Sequence, residues 1–129
     1  MAAAAAAICI AVAGVMKATL PADSFVLVWQ HSVEKTRWEE RYRVDGNRLA
    51  LVEASVQGLG AGMEPPPGAI LRDGAWHWQP TQSMVTEVHL AASGYGADYT
   101  LCAAGICRPL AALVGHGDHG PVTLRACRR

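Results

Sequence analysis

Neither sign of charge is in excess in this sequence: 11 lysines and arginines stand against 11 aspartates and glutamates over 129 residues, and the net charge is zero. A basic field able to hold phosphates or an anionic membrane is therefore missing, and nucleic acid is not an expected partner. Sustained helical periodicity is absent beyond the apolar opening, as are internal repeats and low-complexity tracts. No G-x-S-x-G elbow occurs, which removes one common serine-nucleophile architecture. Cysteine is sparse, at 4, and no second ligand pair repeats the spacing of Cys102 and Cys107, so a four-ligand zinc site is not expected. No cofactor motif is present either.

What the chain does have begins with "MAAAAAAICIAVAGVMKATLPADS", apolar from Ala2 to Met16 and followed by Lys17 and Pro21. A spanning helix needs about 20 apolar residues, and this run is shorter and mostly alanine. It reads as a secretory signal peptide, with an A-x-A pattern at Ala11 and Ala13 and a second cleavage point at Ala22. An uncleaved anchor and a buried alanine-rich helix are the alternatives. The expected division is residues 1–22 as an apolar helical leader or anchor and residues 23–129 as one β domain. That places the domain outside the cytoplasm, periplasmic or anchored at the inner membrane, with membrane contact only through an uncleaved N-terminal segment.

From Phe25 onward apolar residues alternate with a period of two. "FVLVWQH" sets Phe25, Leu27, Trp29 and His31 on one face. "RWEERYRV" sets Trp38, Glu40, Tyr42 and Val44 against a wet face of Arg37, Glu39, Arg41 and Arg43. Turns at "DGN" (45–47) and around Asp73 and Gly74 predict hairpins, the second with Trp76 and Trp78 opposite His77. In "RLALVEASVQG" strict alternation puts Leu49 and Leu51 opposite Ala50, Val52, Ala54 and Val56. About eight short strands predict an all-β fold, a small antiparallel sandwich or partly closed barrel.

In "LCAAGIC", Cys102 and Cys107 flank a four-residue connection between strand-like runs and would face each other in a hairpin. Export would permit a disulfide there, and a cytosolic location would leave two small buried thiols. Cys127 has no evident partner. Among candidate site residues, His31 and Ser32 are neighbours on a strand and point to opposite faces, which argues against a nucleophile and base pair. His31 and Glu40 would meet at one end of an inner face if 32–37 connect two antiparallel strands. A carboxylate there would raise the histidine pKa, although such pairs are more often structural than catalytic. Glu64, between flexible glycines and the prolines of "GMEPPPG", has its backbone fixed and is either a site residue or a solvated loop acid. His116, Asp118 and His119 in "GHGDHG" are a weak metal candidate, since further ligands are missing.

Together "FVLVWQHSVEKTRWEE", "LVEASVQGLGAGMEPPPG" and "DYTLCAAGICRPL" resemble the bacterial domain-of-unknown-function 1850 family. The resemblance implies a small exported or membrane-anchored protein, often encoded beside TAXI-type TRAP transporters, and carries over the motif positions His31, Ser32, Glu34, Glu40, Gly60, Gly62 and Glu64, which are the candidates for binding or docking. A TRAP permease or solute receptor is the implied partner. The expected function is a non-enzymatic accessory or docking module. The alternative is a small-solute or metal-binding domain, with or without enzymatic activity, that uses His31, Glu40 and Glu64.

Overall fold

The computed structural model describes residues 5–30, 36–58, 65–81, 83–90, 99–115 and 120–128. In chain order their strands are β1 (Ala6–Val12), β2 (Val15–Leu20), β3 (Ser24–Gln30), β4 (Arg37–Asp45), β5 (Arg48–Gln57) and β6 (Ile70–Arg72). These are followed by β7 (Ala75–Trp78), β8 (Met84–Val85), β9 (Glu87–Leu90), β10 (Thr100–Ala103), β11 (Ile106–Pro109), the short helix α1 (Leu110–Val114) and β12 (Val122–Arg128). One sheet has the order β2-β1-β12-β9. The other runs β11-β10-β3-β4-β5-β7-β6, with β8 also paired to β5. Every pairing among the described residues is antiparallel. Alternation and turn chemistry thus led to the right fold class. Both sheets are open, so the barrel alternative is not realised.

The helix expected over the apolar opening is corrected. Residues 6–12 and 15–20 are strands joined by a tight turn at Ala13 and Gly14. β1 lies between β2 and β12, and Ala7, Ile8, Cys9 and Ile10 are all buried in succession. A central strand covered on both faces is written as a continuous apolar run, the same signal that a short hydrophobic leader gives. No helix among the described residues is long and apolar enough to cross a membrane.

The sheets share one core. Ile8, Ile10, Val12, Val122 and Leu124 of the smaller sheet meet Phe25, Leu27, Tyr42, Leu49 and Leu101 of the larger, together with Leu110 and Val114 of α1. A bulge lets β5 contribute along its length. Arg41 is opposite Glu53 but Tyr42 is opposite Leu51, so Val52 is the extra residue. One inserted residue flips the alternation. As a result Leu49, Leu51, Ala54 and Val56 all reach the inner face, where unbroken alternation had separated the two leucines from Ala54 and Val56.

Two hairpins close at two-residue turns, the first where Asp73 and Gly74 predict it and the second tighter than the expected four-residue connection, because Ala103 pairs with Ile106. Asp73 and Gly74 have φ of 52° and 80°, and Ala104 and Gly105 have 52° and 78°, the doubly left-handed geometry that suits a two-residue connection. The second hairpin sets Cys102 directly opposite Cys107, and they form a disulfide. The partner of Cys127 is Cys9, diagonal to it across β1 and β12. This bridge joins residues separated by 118 positions, against 5 for the hairpin bridge. Loop-closure entropy then predicts unequal effects: replacing Cys9 and Cys127 by alanine should cost about 4–5 kcal/mol, and replacing Cys102 and Cys107 about 2 kcal/mol. Urea unfolding of the oxidised variants measures both, and equal losses would contradict this pairing.

Candidate functional site

Cross-strand register assembles the inner face of the large sheet row by row, because residues directly opposite each other share a face. Phe25, Tyr42 and Leu51 form one row; Leu27, Glu40, Ala54 and Trp78 the next; Trp29, Trp38, Val56 and Trp76 the third. The first row belongs to the shared core. Leu27 also lies in it and Trp29 packs at its margin, but Trp38, Trp76 and Trp78 are outside it and half-buried. Glu40 therefore stands where the covered part of the face gives way to the aromatic part.

Its surroundings set its chemistry. The Tyr42 hydroxyl donates to Glu40 Oε1 at 3.1 Å. Burial raises the Glu40 pKa, and the bond from Tyr42 opposes that rise only in part. Burial and the neighbouring Glu40 charge push the Tyr42 and Tyr99 phenols up as well, so both remain neutral donors at pH 7. Trp29 and Trp38 stack with ring centroids 6.3 Å apart and planes 9° from parallel. Tyr99 tilts against Trp29 at 5.7 Å, and Trp78 meets Trp38 edge-on at 6.3 Å. One hydrogen bond holds the Trp38 ring and another fixes the Tyr99 backbone. Trp38 Nε1 donates to Oγ1 of the fully buried Thr36 at 3.1 Å, and the Leu110 amide donates to the Tyr99 carbonyl at 2.9 Å.

Arg37, Arg41 and Arg43 are exposed on the opposite face, where Arg37 pairs with Glu39 at 3.1 Å. That outer face also carries a cluster that sequence reading did not single out. His77 Nδ1 and Arg72 Nη2 lie 2.7 Å and 3.1 Å from the same oxygen of Glu53, beside a cleft of about 80 Å³ lined also by Val26, Glu39, Arg41 and Ser55. Partly exposed pairs of this kind contribute at most about 1 kcal/mol. The bulge at Val52 explains why spacing alone could not find this cluster.

Of the motif positions, Glu40 is the one the structure describes. His31, Ser32, Glu34, Gly60, Gly62 and Glu64 lie outside the described residues, as do His116, Asp118 and His119. The described flanks of the first two motifs do converge: Arg37 is opposite Gln30 on one side and Gln57 on the other. Tyr42, Tyr99 and Thr36 are the site residues that motif reading passed over. The same-face spacing of Trp38, Glu40 and Tyr42 was the available signal for the first of these. No spacing rule could bring in Tyr99.

Residues 25–110 match the family described as Domain of unknown function (DUF1850). The chain belongs to that family. The match opens at the start of the β3 core and ends at the first residue of α1, so it takes in Glu40, Tyr42, Tyr99 and all four tryptophans. No curated protein and no solved structure matches the chain.

The raised Glu40 pKa has a definite consequence for stability. The folded state holds this proton more tightly than the unfolded state. Its contribution is thus complete below the ordinary glutamate pKa and is lost as pH rises through the folded value. Glu40→Gln keeps an acceptor for Tyr42 and removes the charge. It should unfold at higher urea than the natural chain at pH 7, with the difference closing at about pH 4. Tyr42→Phe should instead lose about 0.5–1.5 kcal/mol at pH 7. An unchanged or lowered midpoint for Glu40→Gln at pH 7 would contradict the buried-carboxylate account.

Proposed function

We propose that this DUF1850 domain is an exported accessory or docking module of a TRAP-type solute transporter, acting without catalysis, and that the Glu40 end of its inner face is the contact surface. The observation that carries the reading is the aromatic row beside Glu40, which continues the inner face past the core shared with the smaller sheet. Two disulfides lend weak support to an oxidising compartment. The transporter association rests on the family resemblance. Half-buried tryptophans around a polar anchor are the composition of an interface hot spot.

A second reading, a small-solute site, is favoured by one specific feature. Glu40 Oε1 is engaged by Tyr42, while Oε2 has no hydrogen-bond partner among the described residues. A concave or half-covered apolar surface with one placed carboxylate is how small ligands are commonly oriented. No group of three or more His, Cys, Asp or Glu gathers among the described residues.

Co-expression of the full chain with a TRAP-type permease and its solute receptor tests the first reading. The expected result is co-purification from solubilised membranes that is lost with Trp78→Ala and kept with Arg41→Ala on the outer face. Recovery of neither subunit, or equal recovery with both variants, would overturn it.

A further inference from the structure

We infer that the Glu40 end of the inner face binds a small organic cation, an aliphatic ammonium or quaternary ammonium solute, held between the Glu40 carboxylate and the rings of Trp29, Trp38 and Tyr99. The inference deepens the small-solute reading of this site and rests on it. Three observations converge. One is the ring set: two parallel indoles on adjacent strands, with Tyr99 5.7 Å from Trp29 and Trp78 bracing Trp38 from its edge. Aromatic faces carry negative potential and attract cations within about 6 Å, more strongly when water is excluded.

The second is the carboxylate. Glu40 lies in the row next to the indoles and is coupled electrostatically to both tyrosines, with one oxygen fixed by Tyr42 and the other without a hydrogen-bond partner among the described residues. The third is charge segregation. Strand alternation sends Arg37, Arg41 and Arg43 to the far side of the sheet, so the described inner face holds an acid without a basic side chain beside it. Among the described residues Glu40 has no counter-charge, and an incoming cation supplies one. An anion would meet the carboxylate and the ring faces together and be repelled by both. A neutral apolar solute would fill the same space and gain nothing from the Glu40 charge.

Tryptophan fluorescence of the full oxidised chain reads binding directly, with choline, tetramethylammonium and the uncharged carbon isostere of choline, dimethylbutanol, as probes. Choline and tetramethylammonium are expected to quench saturably. Glu40→Gln, which keeps the Tyr42 hydrogen bond, is expected to weaken them by about tenfold or more, and dimethylbutanol to bind at least about tenfold more weakly than choline. Trp38→Phe is expected to weaken choline by a smaller factor and serves as a second, conservative variant. Equal binding of dimethylbutanol, or no effect of Glu40→Gln, would overturn the cation assignment while leaving a solute site. No binding by any probe would overturn the cation assignment as well, and the transporter-docking reading would then stand or fall on co-purification. Binding to phosphatidylcholine vesicles without binding of free choline would overturn the free-solute assignment.

Discussion

The two sheets share one core because β1 is covered on both sides. Its edges are paired with β2 and β12, and Ile8 and Ile10 stand among the inner residues of β3 and β4. Backbone groups of a fully buried strand have no water to bond with, so a central place in a sheet is the arrangement that satisfies them. The Cys9–Cys127 bridge then ties this strand to the C-terminal one. Without β1 the inner side chains Phe25, Leu27 and Tyr42 would lose their cover, and the larger sheet would present one continuous apolar face to water.

That cover also defines the site. The smaller sheet shields the Phe25–Tyr42 row and leaves the tryptophan row largely outside the core, so Glu40 falls on the boundary between them. Position sets its chemistry: enough burial to raise the pKa, and a phenol two residues along the same strand to orient one oxygen, the other having no hydrogen-bond partner among the described residues. Family membership covers this boundary and its aromatic surroundings but not β1, β2 or β12. The site therefore lies on the matched segment, and part of the wall that makes it lies outside.

How much of this the sequence disclosed depended on which physical signal each residue carries. Period-two alternation is local, so β3, β4 and the two Gly-containing hairpins were legible, as was the Cys102–Cys107 pairing across a short turn. The face shared by Trp38, Glu40 and Tyr42 was legible for the same reason. β5 was read only halfway, because a bulge at Val52 is a property of the pair and not of the strand. The opening segment was misread as helical because a strand buried on both faces and a hydrophobic leader have the same composition. Cys127 looked unpaired for that reason alone: its partner lay in the segment set aside. Long-range neighbours such as Tyr99 beside Glu40 have no local signature.

Native-state hydrogen exchange on the full oxidised chain tests the central claim, that β1 is a core strand of the folded protein, most directly. Amides of Ala7 to Ile10 that take part in the β1 ladders should exchange only through global unfolding, as slowly as those of Phe25 and Leu27. Fast exchange at residues 7–10 with protection intact at 25–28 would contradict it, and with it the boundary on which Glu40 sits.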